Sequence, residues 1–111
     1  MSEEQHIAEL KKMFKNTEAK VGLYHKNCLE ILNSLAYILK KTGKLDQALE
    51  YYKLCVDICY HIYDKNNTAI ACCLSYVGNT LVIMGQLEEA KKYFKEALAI
   101  FETDGLRKQE I

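Results

Sequence analysis

One segment of the sequence occurs twice, and this repetition constrains the fold more than any other feature. Residues 43–58 read GKLDQALEYYKLCVDI, and residues 85–100 read GQLEEAKKYFKEALAI. Both copies begin with glycine and then place a leucine, an alanine and an aromatic residue at the same spacings. A fixed period of about 20–50 residues is typical of repeat proteins, in which one supersecondary unit recurs and stacks on its neighbour.

Helical patterning surrounds the two copies. Before each copy, four residues recur at spacings of three, one and three. They are Leu32, Leu35, Ala36 and Leu39 before the first copy, and Leu74, Val77, Gly78 and Leu81 before the second. Such spacings place side chains on one face of a helix. The chain also contains no proline, the strongest helix breaker. The sequence therefore predicts an all-α fold.

Five helices are predicted, at about residues 3–18, 23–41, 45–63, 68–84 and 87–103. Gly22 separates the first two, and either Asn66 or Asn67 is expected to cap the fourth. Asp104 and Gly105 are expected to end the fifth. The first helix corresponds to the second helix of a repeat, so it is either a degenerate half-repeat or a capping helix. The chain is therefore divided into four segments: residues 1–20, a first repeat at 23–64, a second repeat at 66–104 and a tail at 105–111.

Charge and hydropathy argue against several classes of function. Fifteen basic and fifteen acidic residues cancel, and a neutral chain without a basic stripe is a poor candidate for binding nucleic acid or a membrane surface. No apolar run approaches the roughly 20 residues needed to span a bilayer. The N-terminus begins with acidic residues rather than with the basic region of a signal peptide. We expect a cytoplasmic protein.

The cysteines and histidines do not form a pattern that predicts chemistry. The five cysteines are Cys28, Cys55, Cys59, Cys72 and Cys73, and the odd count suits a reducing compartment. They lack the C-x-x-C spacing common in structural zinc sites. The three histidines are spread over different predicted helices without an obvious nucleophile beside them. No glycine-rich phosphate loop is present. The sequence therefore predicts no metal, no cofactor and no enzymatic activity.

The repeated pattern resembles the tetratricopeptide repeat. The resemblance depends on the motif L-x-x-L-A/G-x-x-L followed by G-x-L-x-x-A-x-x-x-Y/F-x-x-A/C. It occurs twice between Cys28 and Glu102, with Val77 at the second leucine position of the second copy. The 42-residue spacing looks like the long, kinesin-light-chain type of this repeat. Two positions depart from the family pattern, since Leu32 and Leu74 stand where tryptophan is common and Asn67-Thr68 replaces His-Pro. The resemblance implies antiparallel helix pairs stacked into a right-handed superhelix.

The resemblance also implies a concave groove that holds a peptide or a partner helix. Its expected lining residues are Asn33, Tyr37 and Lys40 in the first repeat, and Ser75, Asn79 and Val82 in the second. Asparagine and tyrosine can hydrogen-bond a peptide backbone. The alternative is that these are ordinary solvated residues of amphipathic helices. The implied function is a non-catalytic protein-interaction module, either a stand-alone adaptor or part of a larger scaffold.

A second surface is predicted on the last helix, where Leu87, Phe94, Leu98 and Phe101 share one face. In a longer array, the first helix of a third repeat would cover part of this face. We expect either a homodimer that pairs this face with itself or a piece of a longer array. The corresponding alternative function is a structural self-assembly unit.

Overall fold

The computed structural model describes residues 2–109 and is helical over that range, without a strand. It contains five helices: α1 (Glu3–Val21), α2 (Lys26–Lys41), α3 (Leu45–Ile62), α4 (Thr68–Ile83) and α5 (Leu87–Gln109). Among these helices, extensive contacts join each one to the next along the chain. The predicted all-α fold of five helices is confirmed, and it has the serial stacking typical of helical repeats.

The two repeats have matching local structure. Helices α2 and α4 each contain 16 residues, and both ends of α4 fall at the positions that correspond to the ends of α2 in the repeat register. Both repeats turn at a glycine with positive φ, 85° at Gly43 and 82° at Gly85. Glycine lacks the Cβ that makes this conformation costly, so it ends the first helix of each pair and starts the turn.

Side-chain caps set where the first helix of each repeat begins. The His25 ring accepts a hydrogen bond from the Asn27 backbone N–H at 3.0 Å, and Asn67 Oδ1 accepts one from Ala69 at 2.8 Å. These caps satisfy backbone donors that have no partner within the helix. The prediction that α2 begins near residue 23 was therefore wrong, since the helix begins at Lys26. The predicted asparagine cap of α4 is confirmed at Asn67.

The last helix is longer than predicted. Asp104 and Gly105 do not end α5, which continues to Gln109. Gly105 does not adopt the positive φ of the helix-ending glycines, and Lys108 Nζ pairs with Asp104 Oδ2 at 3.1 Å one turn away. Because no proline follows, the polar composition alone does not stop the helix. The predicted tail at 105–111 is thus helical to residue 109, and its last two residues lie outside the described range.

The core lies along the faces that the repeat pattern predicts. Leu32, Leu35 and Leu39 are fully buried, as are Ala48 and Cys55 on α3. Burying a leucine side chain contributes roughly 1.5–3 kcal/mol relative to exposure, so these positions hold the helix pairs together. Helix α1 adds only a narrow apolar stripe to this core: Ile7 and Leu10 are buried against it, but Met13 is exposed.

Candidate functional site

A cleft opens where α2, α3 and α4 meet, and we refer to it as the central cleft. It has a volume of about 260 Å³ and is lined by Asn33, Ser34, Tyr37, Tyr52 and Tyr76. Helix α2 contributes the first three because positions three and four apart lie on one helical face. Tyr52 of α3 and Tyr76 of α4 complete the wall, with ring centroids 5.5 Å apart.

Asn33 carries the most informative atom of the central cleft. Its side chain is half-buried, and its Oδ1 is enclosed without a hydrogen-bond partner among the described residues. A buried acceptor left unpaired costs about 1–3 kcal/mol, so few are tolerated without a reason. Rotation of the Asn33 side chain towards the cleft would let a donor group there satisfy this oxygen.

The tyrosines give the central cleft an aromatic lining with polar tips. Tyr37 is exposed, and Lys40 Nζ lies 5.8 Å from its ring centroid. Burial raises the pKa of Tyr52 to about 12, with nearby Cys55 adding to the effect, so its hydroxyl stays protonated at neutral pH. Aromatic rings with hydroxyl groups provide large apolar contact area together with hydrogen bonding, which suits protein recognition.

A second cleft continues the surface towards α1. Its volume is about 410 Å³, and its lining residues are Glu3, His6, Leu10, Ser34, Tyr37, Ile38 and Lys41. Because Ser34 and Tyr37 line both clefts, the two are adjacent along α2. Charged side chains occur in the α1 part, whereas α4 carries none along its whole length. The combined surface, here called the groove, is therefore charged at one end and uncharged at the other.

The structure brings together only some of the predicted groove residues. Asn33 and Tyr37 line the central cleft. Lys40 lies over the outer face of Tyr37, while Asn79 and Val82 are exposed on α4 outside the cleft. Ser75 donates its hydroxyl to the Ala71 carbonyl at 3.0 Å and is half-buried, so its side chain is engaged within its own helix.

Sequence reasoning missed Ser34 and Tyr76, which occupy equivalent positions in the two repeats. It also did not identify Tyr52 as a cleft residue. Tyr76 precedes Asn79 by one helical turn and so shares its exposed face, which was a usable signal. For Tyr52 no such signal exists, because a side chain can be buried and still form a cleft wall.

The exposed apolar face of α5 is smaller than predicted. Leu87 and Leu98 are each 56% exposed, and Phe101 is 42% exposed. Phe94 is half-buried and packs against the cluster formed by α2, α3 and α4 residues. Three of the four predicted residues thus remain on an open face, and Phe94 belongs to the interior of its repeat.

Three further features bear on function. In residues 2–109, no three His, Cys, Asp or Glu side chains converge in a way that can hold a metal ion. Cys72 is exposed and the other four cysteines are buried. Over the same range, no helix has the length and apolar character required to cross a membrane.

Helix pairs that recur in one register and stack along the chain define a helical-repeat protein. The family model for the tetratricopeptide repeat matches residues 27–103, and the chain belongs to this family. The predicted family is thereby confirmed. Members are generally non-catalytic modules with interaction or scaffold roles. No curated protein matches the chain.

Proposed function

We propose that the chain is a protein-interaction module that binds a peptide segment of a partner protein in the groove. The observation that carries this proposal is the enclosed, unpartnered Oδ1 of Asn33 in a cleft lined by tyrosines. A peptide backbone N–H is a donor of suitable size and is present in every partner sequence except at proline. If the Asn33 side chain turns towards the cleft on binding, its unpaired oxygen would gain a donor, and this hydrogen bond would add to the affinity.

The surroundings of Asn33 support an extended peptide over a small molecule. The central cleft continues into the α1 cleft through Ser34 and Tyr37, giving an elongated, open surface rather than an enclosed cavity. Tyr37 and Tyr76 present exposed rings on the walls from two repeats. Apolar contacts with these rings would supply affinity, while Asn33 fixes the register of the peptide backbone.

The proposal also includes two earlier predictions: the long, 42-residue repeat type and a cytoplasmic location. The identical lengths of α2 and α4, and the matching register of their ends, support a resemblance to the kinesin-light-chain type. A cytoplasmic location accords with five cysteines that all carry free thiols.

A peptide display library tests the groove directly. Peptides selected on the wild-type protein would be titrated against Asn33→Leu, which removes the acceptor at similar volume, and against the double variant Tyr37→Ala with Tyr76→Ala. We expect both to lose at least about tenfold in affinity, equivalent to about 1.4 kcal/mol. Tyr60→Ala is the matched control, since Tyr60 is as exposed as Tyr76, at 41%, but bonds to Glu96 on α5.

Three results would contradict the proposal. One is full affinity of selected peptides for both groove variants. Another is an equal loss in Tyr60→Ala, which would place the binding surface elsewhere. The third is failure of a large library to yield any binder to well-folded wild-type protein.

A second candidate function is self-assembly through the apolar face of α5. It is supported by the exposure of Leu87, Leu98 and Phe101 on one side of that helix. Apolar surface that recurs on one face is typical of an interface, and a single such face favours a closed pair. The homodimer and the longer repeat array remain the two forms of this candidate.

A further inference from the structure

Two buried thiols meet at the junction between the repeats. Cys59 Sγ on α3 and Cys73 Sγ on α4 are 3.5 Å apart and share a hydrogen bond. Cys59 is completely buried and Cys73 is 3% exposed. Helix α3 is the second helix of the first repeat, and α4 is the first helix of the second. The contact therefore joins consecutive repeats rather than the two helices of one repeat.

The two sulfur atoms are within reach of a disulfide. A disulfide requires about 2.05 Å between the sulfurs, so side-chain rotations and a slight approach of the helices would bring the atoms into bonding distance. The repeat pattern itself does not require sulfur here, because Phe101 and Ile31 occupy the positions equivalent to Cys59 and Cys73 in the other repeat. Two thiols directed at each other have a reaction available that these apolar side chains lack.

We propose that Cys59 and Cys73 form an oxidative modification site, at which a peroxide oxidises the two thiols to an intramolecular disulfide that links α3 to α4. The Cys59 thiolate attacks one oxygen of hydrogen peroxide, which gives a sulfenic acid and releases hydroxide. The Cys73 sulfur then attacks the Cys59 sulfur, forming the S–S bond and expelling the second hydroxide. The two thiol protons convert both hydroxides to water, so two thiols are oxidised and one peroxide is reduced.

The hydrogen bond selects this pair among the buried cysteines. Donation from Cys73 stabilises a thiolate on Cys59 and lowers the pKa of Cys59. The same bond, together with burial, raises the pKa of Cys73. Burial raises the pKa of Cys55 to about 12, which keeps that neighbour as an unreactive thiol. The proposal accordingly makes Cys59 the attacking group and Cys73 the resolving one.

The disulfide would constrain the central cleft. Tyr52 precedes Cys59 by two turns on α3, and Tyr76 follows Cys73 by one turn on α4, so the linked helices carry two walls of the cleft. A covalent link would fix their separation. This effect on the groove rests on the proposed peptide binding, whereas formation of the disulfide does not.

The test uses the Cys72→Ser protein, in which the only exposed thiol is removed so that disulfides between molecules cannot dominate. After treatment with hydrogen peroxide and quenching, the remaining free thiols would be alkylated in denaturant and counted by intact mass. We expect loss of two of the four remaining thiols, recovery of both on reduction, and a peptide map that joins Cys59 to Cys73. Adding Cys73→Ser should abolish the loss, and adding Cys55→Ser, a buried control one turn from Cys59, should preserve it.

The proposal is overturned if all four buried thiols survive peroxide, or if the map joins a different pair. Oxidation of single cysteines to sulfinic acid, without a disulfide, would overturn it as well. The peptide map of the Cys72→Ser protein decides between these outcomes even if the additional substitutions impair folding. Peptide affinity measured before and after oxidation then tests the groove separately, since a disulfide without any peptide binding would contradict only the proposed function.

Discussion

The Phe94 ring lies where a side chain on Gly78 would have to be. A Cβ built on Gly78 would be 2.8 Å from both Cε1 and Cζ of Phe94, closer than unbonded carbon atoms approach. The equivalent pair in the first repeat is Ala36 and Tyr52, both buried in the same cluster. In the second repeat, therefore, Gly78 replaces the alanine of the first repeat, and the Phe94 ring occupies the space of the missing side chain.

Gly78→Ala is expected to destabilise the protein despite its favourable effect on helix propensity. Displacing the Phe94 ring costs about 1–3 kcal/mol, and alanine returns at most about 1 kcal/mol in the helix. The net loss should be roughly 1 kcal/mol in the free energy of unfolding, measured with urea. Gly105→Ala is the control, because nothing lies near its Cβ position and the change should be neutral or stabilising. Equal stability of the two variants would refute the proposed crowding.

Ala90→Leu should destabilise by roughly 1–3 kcal/mol, because Ala90 is 1% exposed and a larger side chain overpacks its site. Thermal and urea unfolding would report the difference. Ala99→Leu places the same side chain at an exposed position of the same helix and should have little effect. If the two variants unfold at the same midpoint, Ala90 does not lie at a close helix contact.

Stability should fall above pH 10, in part because of Tyr52. Below pH 10 the Tyr52 hydroxyl is neutral in both the folded and the unfolded state, so its contribution to the free energy of unfolding is fully present. Between pH 10 and 12 the unfolded state ionises while the folded state, with a pKa of about 12, does not. The free energy of unfolding should therefore decline by roughly 2 kcal/mol from this group. Tyr52→Phe should flatten the decline. An unchanged profile in Tyr52→Phe would contradict the assignment.

If the apolar face of α5 forms a homodimer, Phe101→Glu should convert it to a monomer. Dimer formation would remove the new carboxylate from water without giving it an ion-pair partner, which is energetically unfavourable. Analytical ultracentrifugation at micromolar concentration measures this, with circular dichroism to confirm the fold. Leu106→Glu is the matched control, since Leu106 is exposed at 62% but lies on a different side of the helix. Monomeric wild-type protein would exclude the homodimer at that concentration.

The repeat pattern predicted the fold well because its determinants are local. The turns at residues 43 and 85 have positive φ, which glycine adopts at little cost. The leucines before each glycine lie on one helical face, which must be buried against a second helix, so the pairing of helices follows from the sequence. The groove was predicted less well. Whether Ser75 turns its hydroxyl towards a ligand or towards its own helix depends on rotamers, which spacing does not specify. The contact between Cys59 and Cys73 depends on how α3 crosses α4, which no pattern along one helix encodes. Phe94 was likewise placed on an open face because its pattern on α5 does not reveal the space left by Gly78.

The serial packing of the helices has a consequence for how the molecule opens. Among residues 2–109, α2, α3 and α4 each pack against two neighbouring helices, whereas α1 and α5 each pack against one. In a chain of nearest-neighbour units, the ends can unfold while the centre stays folded. The amide protons of α3 should accordingly exchange with solvent most slowly. The α1 wall of the groove, held by Ile7 and Leu10, would detach at a lower cost than the helices that carry the tyrosines of the central cleft.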